Sequence, residues 1–210
     1  MNRIYYLFFS ALSVGVFFGC SPLLGGERAA EVQYLIQPPT AGETANESFS
    51  YNPASRSLLV SDVRAAAPLG GTRILFTKDG SSIGAYQLAR WSESLGNRLQ
   101  LELVRSLERT NSFASVTRVG TLVSGDLLLS SELLDATHDA REEPGLVRLQ
   151  LRVELVDVKN GRMIATSTLT SQAPASEFSS SGAVDGFRKA FPVLVEKVNN
   201  WLLSHVHSTR

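Results

Sequence analysis

The sequence predicts an α+β fold: a mostly antiparallel or mixed β-sheet with two amphipathic helices packed on it. Three observations predict it. In residues 146–156, Val147, Leu149, Leu151, Val153 and Leu155 alternate with Arg148, Gln150, Arg152 and Glu154, the two-residue period of a strand with one dry and one wet face. Leu95, Leu99, Leu103 and Leu107 repeat every four residues with charged positions opposite, which is the period of a helix. Val184, Phe187, Phe191, Leu194, Val195, Val198, Trp201 and Leu202 fall within about a third of a helical circumference at ~100° per residue. Helices of this kind bury their stripe most often by packing on a sheet.

The remaining elements follow in order. Tyr34, Leu35 and Ile36 form a short first strand stopped by Pro38 and Pro39, and residues 40–55, rich in small and polar side chains, form a surface loop. Leu58 to Val63 make an apolar strand, broken by the Pro and Gly residues of 67–71. Ile74, Leu75 and Phe76 pair with residues 85–91 through Lys78-Asp79-Gly80, because Asp-Gly is a hairpin turn signal. The first helix covers 93–110, with Ser92 as N-cap and Asn111 as stop. Residues 113–119 and 126–135 are strands, the second with adjacent rather than alternating leucines. After the 146–156 strand, Asn160-Gly161 supplies both positive-φ positions of a type I′ turn, and the β-branched residues of 163–170 return. The last helix spans about twenty residues and contains Pro192, which costs an interior hydrogen bond and can kink it.

Composition narrows the function classes. The 210 residues carry 20 Lys+Arg against 20 Asp+Glu, a formal net charge of +0, so no basic stripe is offered to nucleic acid. Cys20 is the single cysteine, which leaves no intramolecular disulfide framework and no multi-cysteine zinc site.

The N-terminus has the layout of a secretory signal: Arg3, an uncharged run over residues 4–18, then Gly19 before a break. Fifteen helical residues reach only ~22 Å against a hydrocarbon core of ~30 Å, too short to span comfortably. Val16-Phe17-Phe18-Gly19-Cys20 resembles a bacterial lipobox, in which the chain is cut between Gly19 and Cys20 and Cys20 receives a diacylglycerol. Two acyl chains suffice for stable anchoring. The expected organisation is a lipoprotein signal peptide over 1–19, a flexible tether over 20–33 and one domain over 34–210. Ser21 after the cysteine resembles a signal for the outer membrane, which puts the anchored protein on its periplasmic face.

Candidate chemistry is sparse. His138 falls in a charged stretch with Asp135, Asp139, Arg141, Glu142 and Glu143 that reads as a solvated loop. His205 and His207 lie at the end of the chain, where tails usually fray. Gly80-Ser81-Ser82-Ile83-Gly84 matches a nucleophile elbow in letters, but that chemistry needs a helix after the serine, and a strand follows instead. Neither a phosphate loop nor a dinucleotide fingerprint is present. The expectation is a protein that is not an enzyme, with no catalytic residues, no metal and no cofactor.

Several pieces together resemble the ABC-type transport auxiliary lipoproteins. They are Tyr34-Leu35-Ile36-Gln37-Pro38 after the lipobox, Leu58-Leu59-Val60, and Arg73-Ile74-Leu75-Phe76 through Phe113-Ala114-Ser115-Val116, with Tyr86…Arg90-Trp91 before the leucine helix as the most family-like stretch. The strand, Asn-Gly turn, return strand and final helix continue in the family's order. Ser92-Glu93-Ser94 stands where Pro often follows the Trp, and Phe76 where a hydroxylated aromatic is common. The resemblance implies a non-catalytic auxiliary component of a mammalian-cell-entry lipid transport system, with phospholipid as cargo. Its implied partners are the mammalian-cell-entry substrate-binding protein and the ABC permease and ATPase. The alternative is a generic envelope lipoprotein that scaffolds another membrane complex. Tyr86 and Trp91 are the candidate partner-binding residues, since aromatics anchor interfaces; core aromatics at a strand end are the competing reading.

Overall fold

One long strand, β6 (Leu127–Asp139), organises the sheet. The computed structural model describes residues 30–36, 55–121 and 124–207, and Glu31–Arg210 cluster as one compact unit. The lipobox, Cys20, Pro38, Pro39 and most of the expected 40–55 loop lie outside the described residues. Along one edge β6 pairs antiparallel over its length with β7 (Leu146–Asp157), which pairs antiparallel with β8 (Arg162–Pro174). Along the other edge its first half pairs parallel with β2 (Ser57–Ala65) and its last three residues pair parallel with β3 (Arg73–Thr77). Strands β2 and β3 therefore lie end to end beside β6. Beyond β2 comes β5 (Ser115–Arg118), and beyond β3 come β4 (Gly84–Trp91) and β1 (Val32–Tyr34). The result is a mixed sheet of eight strands with two helices.

The helices α1 (Leu95–Glu108) and α2 (Ser180–His207) bury their stripes in one core with the sheet. Leu95, Leu99, Leu103 and Leu107 are all buried, as their spacing requires, against Leu58, Val60, Leu129 and Leu151 of the strands. From α2 the inward residues are those the period selects, with Trp201 half-buried at the margin. Gly186 lets α2 approach β7 closely: a Cβ there would stand 2.7 Å from Val147 Cγ2.

The departures from the sequence reading have local causes. The first strand starts at Val32, inside the expected tether, because Val32, Gln33 and Tyr34 pair with Ala89, Arg90 and Trp91. The N-cap of α1 is Ser94, whose hydroxyl accepts from the Asn97 amide at 3.3 Å. Ser92 stands two residues too early to cap, and its amide donates to the Tyr34 carbonyl at 2.9 Å and prolongs the strand. Asn111 does stop the helix region in a left-handed conformation, φ 51°. The β7–β8 connection is not a type I′ turn: only Gly161 has positive φ, and Asn160 instead donates its amide and side chain to the Asp157 carboxylate at 3.0 and 3.1 Å. Helix α2 is 28 residues long and continues through Pro192.

The largest departure is in β6. Before Leu134 the odd positions Leu127, Leu129 and Leu133 face the core; after it the even positions Ala136, His138 and Ala140 do. The register shifts between Leu133 and Asp135, so Leu134 is the extra residue of a β-bulge. That single residue exchanges the two faces of the rest of the strand.

Candidate functional site

The bulge determines what stands at the corner where β3, β4, β6 and the β6–β7 loop meet. His138, expected in a solvated loop, is instead in β6 and 0% exposed. Its Nε2 lies 2.9 Å from the Pro144 carbonyl oxygen and its Nδ1 lies 2.8 Å from the Tyr86 hydroxyl. A carbonyl only accepts, so Nε2 carries the proton; in the neutral ring Nδ1 then accepts from Tyr86. Burial pushes the Tyr86 phenol up to about 12, which keeps it a donor. Gly145, at φ 88°, closes the loop over this pair: a Cβ there would come within 2.6 Å of the Asp139 carbonyl oxygen and would also overlap the His138 ring.

Aromatic rings surround the pair. Phe76 packs on Tyr86 with centroids 4.8 Å apart, Phe178 lies 6.0 Å from the His138 ring, and Lys78 Nζ sits 5.0 Å from the Phe178 centroid and 5.9 Å from that of Phe76. Tyr86 is half-buried. Trp91 is only 3% exposed and meets Phe187 of α2 edge-on, at 5.2 Å and 87°. It occupies the place that the competing reading of a core aromatic at a strand end gives it.

On the side of the sheet away from that core the same corner holds a cavity of about 480 Å³, lined by Ser81, Ser82, Ile83, Leu134, Asp135 and Arg148 among others. The loop over Lys78-Asp79-Gly80 is a β3–β4 hairpin connection, as its turn signal predicts. Ser82 Oγ donates to Asp79 Oδ2 at 2.7 Å, and the Ser81 and Ser82 amides donate to Asp79 Oδ1 at 2.8 and 2.7 Å. These bonds hold the Asp79 carboxyl well below the usual carboxylate range. A strand, not a helix, follows Gly84, so the geometry of a nucleophile elbow is not formed. Asp139 holds Arg141 through two hydrogen bonds, Nε to Oδ1 at 2.9 Å and Nη2 to Oδ2 at 2.6 Å, and these lower the Asp139 carboxyl.

The other histidines lie in the last turn of α2 rather than in a frayed tail, and His205 Nδ1 donates to the Trp201 carbonyl at 2.7 Å. Among the described residues no group of His, Cys, Asp and Glu is arranged to hold a metal, and no helix is long and apolar enough to cross a membrane. Sequence reasoning missed the Tyr86–His138 pair and the cavity. The adjacent leucines at 127–129 and 133–134 were the visible trace of the bulge that creates both.

Comparison with known proteins agrees with this architecture. A model of the family described as the ABC-type transport auxiliary lipoprotein component matches residues 34–199. An uncharacterized protein of Bradyrhizobium diazoefficiens is 25% identical over 179 residues, covering 84% of this chain and 46% of that protein, so the chain spans about half the length of this relative. Among solved structures, protein XCC0632 from Xanthomonas campestris superposes with a TM-score of 0.67 at 22% identity, over 75% of this chain and 91% of that one. A second uncharacterized protein gives 0.58 at 13% identity, over 70% and 92%. Both share the fold.

Proposed function

The chain belongs to the ABC-type transport auxiliary lipoprotein component family, and we propose from this that it is the membrane-anchored auxiliary component of a mammalian-cell-entry lipid transport system. The observation that carries the reading is the match of residues 34–199 to that family directly downstream of a lipobox-like Gly19-Cys20. In this reading the signal peptide is cut after Gly19, Cys20 carries the acyl chains, and the segment before β1 tethers the sandwich to the periplasmic face of the outer membrane. Ten residues separate Cys20 from Glu31, where the compact unit begins; such a segment spans at most ~40 Å. The domain therefore works within a few nanometres of its bilayer.

The role is docking rather than turnover. The implied partners are the mammalian-cell-entry substrate-binding protein and the ABC permease with its ATPase, which supplies the energy. Tyr86 enters this reading as the half-buried aromatic of the β4 edge, while Trp91 serves the core. Intact-mass analysis of the mature protein tests the anchor: an acylated N-terminal Cys20 is expected, with loss of membrane attachment in Cys20→Ala. An unmodified, water-soluble mature chain would overturn it. Co-purification separates the transport reading from a generic scaffold, which would capture neither permease nor mammalian-cell-entry protein.

A further inference from the structure

The cavity on the open sheet face contains two cations and two anions, Arg141 and Arg148 with Asp135 and Asp139. They are not equally satisfied. Arg141 is bound bidentately by Asp139, whereas Arg148 Nη1 is 4.0 Å from Asp135 Oδ2 and Nη2 is 3.8 Å from Asp139 Oδ2, both beyond hydrogen-bond reach. Arg148 Nε is buried and has no hydrogen-bond partner among the described residues. A guanidinium on β7 that pairs with two carboxylates, its Nη1 and Nη2 outside hydrogen-bond distance of both, can turn those two groups to a planar or tetrahedral oxyanion in the cavity.

The rim adds a second property. Ile83 is 55% exposed and Leu134 is 40% exposed, and both line the same cavity. Leu134 stands there because it is the bulged residue of β6. A small soluble anion has no use for an apolar rim, and a purely anionic ligand would leave the paired carboxylates facing it.

We propose that this cavity binds the head group of a zwitterionic aminophospholipid: the phosphate on Arg148 and Arg141, the ammonium on Asp135 and Asp139, and the first acyl methylenes over Ile83 and Leu134. The choice of a lipid as the source of that chemistry rests on the transport reading above. The auxiliary protein would then contact the transported lipid itself, in addition to its protein partners.

The test is calorimetric titration of the full chain in amphipol with a short-chain phosphatidylethanolamine. Three further ligands dissect it: phosphatidylglycerol with the same chains, O-phosphoethanolamine, and inorganic phosphate. Phosphatidylethanolamine is expected to bind at least ~10-fold tighter than each of the other three, a difference one charge-assisted contact or a few buried methylenes can supply. Arg148→Gln should weaken it by ~10-fold or more, and Leu134→Ser should weaken the lipid while leaving O-phosphoethanolamine unchanged. Equal binding of phosphatidylglycerol would overturn the ammonium assignment. Equal binding of O-phosphoethanolamine would overturn a lipid source, and unaltered lipid binding by a folded Arg148→Gln chain would overturn the site. If Arg148→Gln does not fold, Arg141→Gln in the exposed loop decides with the same expected loss. Capture of the permease and mammalian-cell-entry protein is measured beside it. Lost lipid binding with intact capture isolates the head-group site, and intact lipid binding without capture by the native chain removes the transport reading alone.

Discussion

Single residues carry opposite loads at the two ends of β4. Trp91 is fully engaged with Phe187 and the helix layer, so Trp91→Ala should cost about 3–5 kcal/mol of folding stability. Urea unfolding reads this, and a loss below ~1 kcal/mol would contradict its place in the core. Tyr86 shares its burial with a polar partner and depends on one tautomer of His138. Asp126 illustrates the acid limit: it accepts from the Ser57 amide at 2.8 Å and the Ser57 hydroxyl at 2.7 Å, which hold its carboxyl below the ordinary 3.8. A carboxyl lowered in the folded state contributes stability that is complete above the unfolded value and is lost as pH falls through the folded one. Stability should therefore be level above about pH 5 and decline below about pH 4. Asp126→Asn should flatten that decline by about 1 kcal/mol or less, because the carboxylate is exposed. An identical acid profile in the variant would contradict the assignment. The sequence identified Tyr86 and Trp91 as aromatics of consequence, but nothing in residue type distinguishes a core Trp from a surface one; that depends on which helix arrives above it.

Elements were legible where a period was unbroken and illegible where one residue interrupts it. Both helices and β7 follow directly from spacing, since the apolar residues their periods select are buried, with Trp201 at the margin, although α1 also buries the polar Gln100 and Glu102. In β6 the bulge at Leu134 splits one strand into two phases, so an alternating pattern fitted to either half misplaces the other. That is why residues 136–139, with His138 among them, read as loop. Deleting Leu134 would leave an uninterrupted ladder, with Leu133 opposite Leu151 and Asp135 opposite Gln150, so that Ala136 and His138 still face the core and His138 still meets Tyr86. Leu134→Ala, which only trims an exposed side chain, should stay within about 0.5 kcal/mol, and the deletion should keep the hydrogen-exchange protection of residues 136–139, since each retains its β7 partner. Loss of that protection in the deletion variant would mean that Leu134 is not the extra residue of the strand. The β7–β8 connection teaches the same lesson on a smaller scale: Asn-Gly announced a hairpin, but Asp157 captured Asn160 and left the positive φ to Gly161 alone.

At the scale of the whole molecule, the sandwich buries the apolar stripes of its long strands against its own helices and leaves the other sheet face open, with Arg64 beside Glu132, Arg152 beside Glu154, and Ile83 and Leu134 exposed at the cavity rim. The family was legible from scattered strand and helix segments because each marks an element end or a core stripe. The cavity was not, because its residues come from β3, the β3–β4 connection, β6, the β6–β7 loop and β7, and are brought together by the parallel pairing of β3 with the far half of β6. The proposed auxiliary role requires that such a body be held at a bilayer through Cys20 and be recognised by other proteins. The most direct measurement is cross-linked affinity capture of the acylated full chain from its own membranes, followed by mass spectrometry of what it holds. The account predicts an ABC permease or a mammalian-cell-entry protein among the cross-linked partners, lost when Cys20→Ala releases the chain; an acylated, folded chain that captures neither would contradict it.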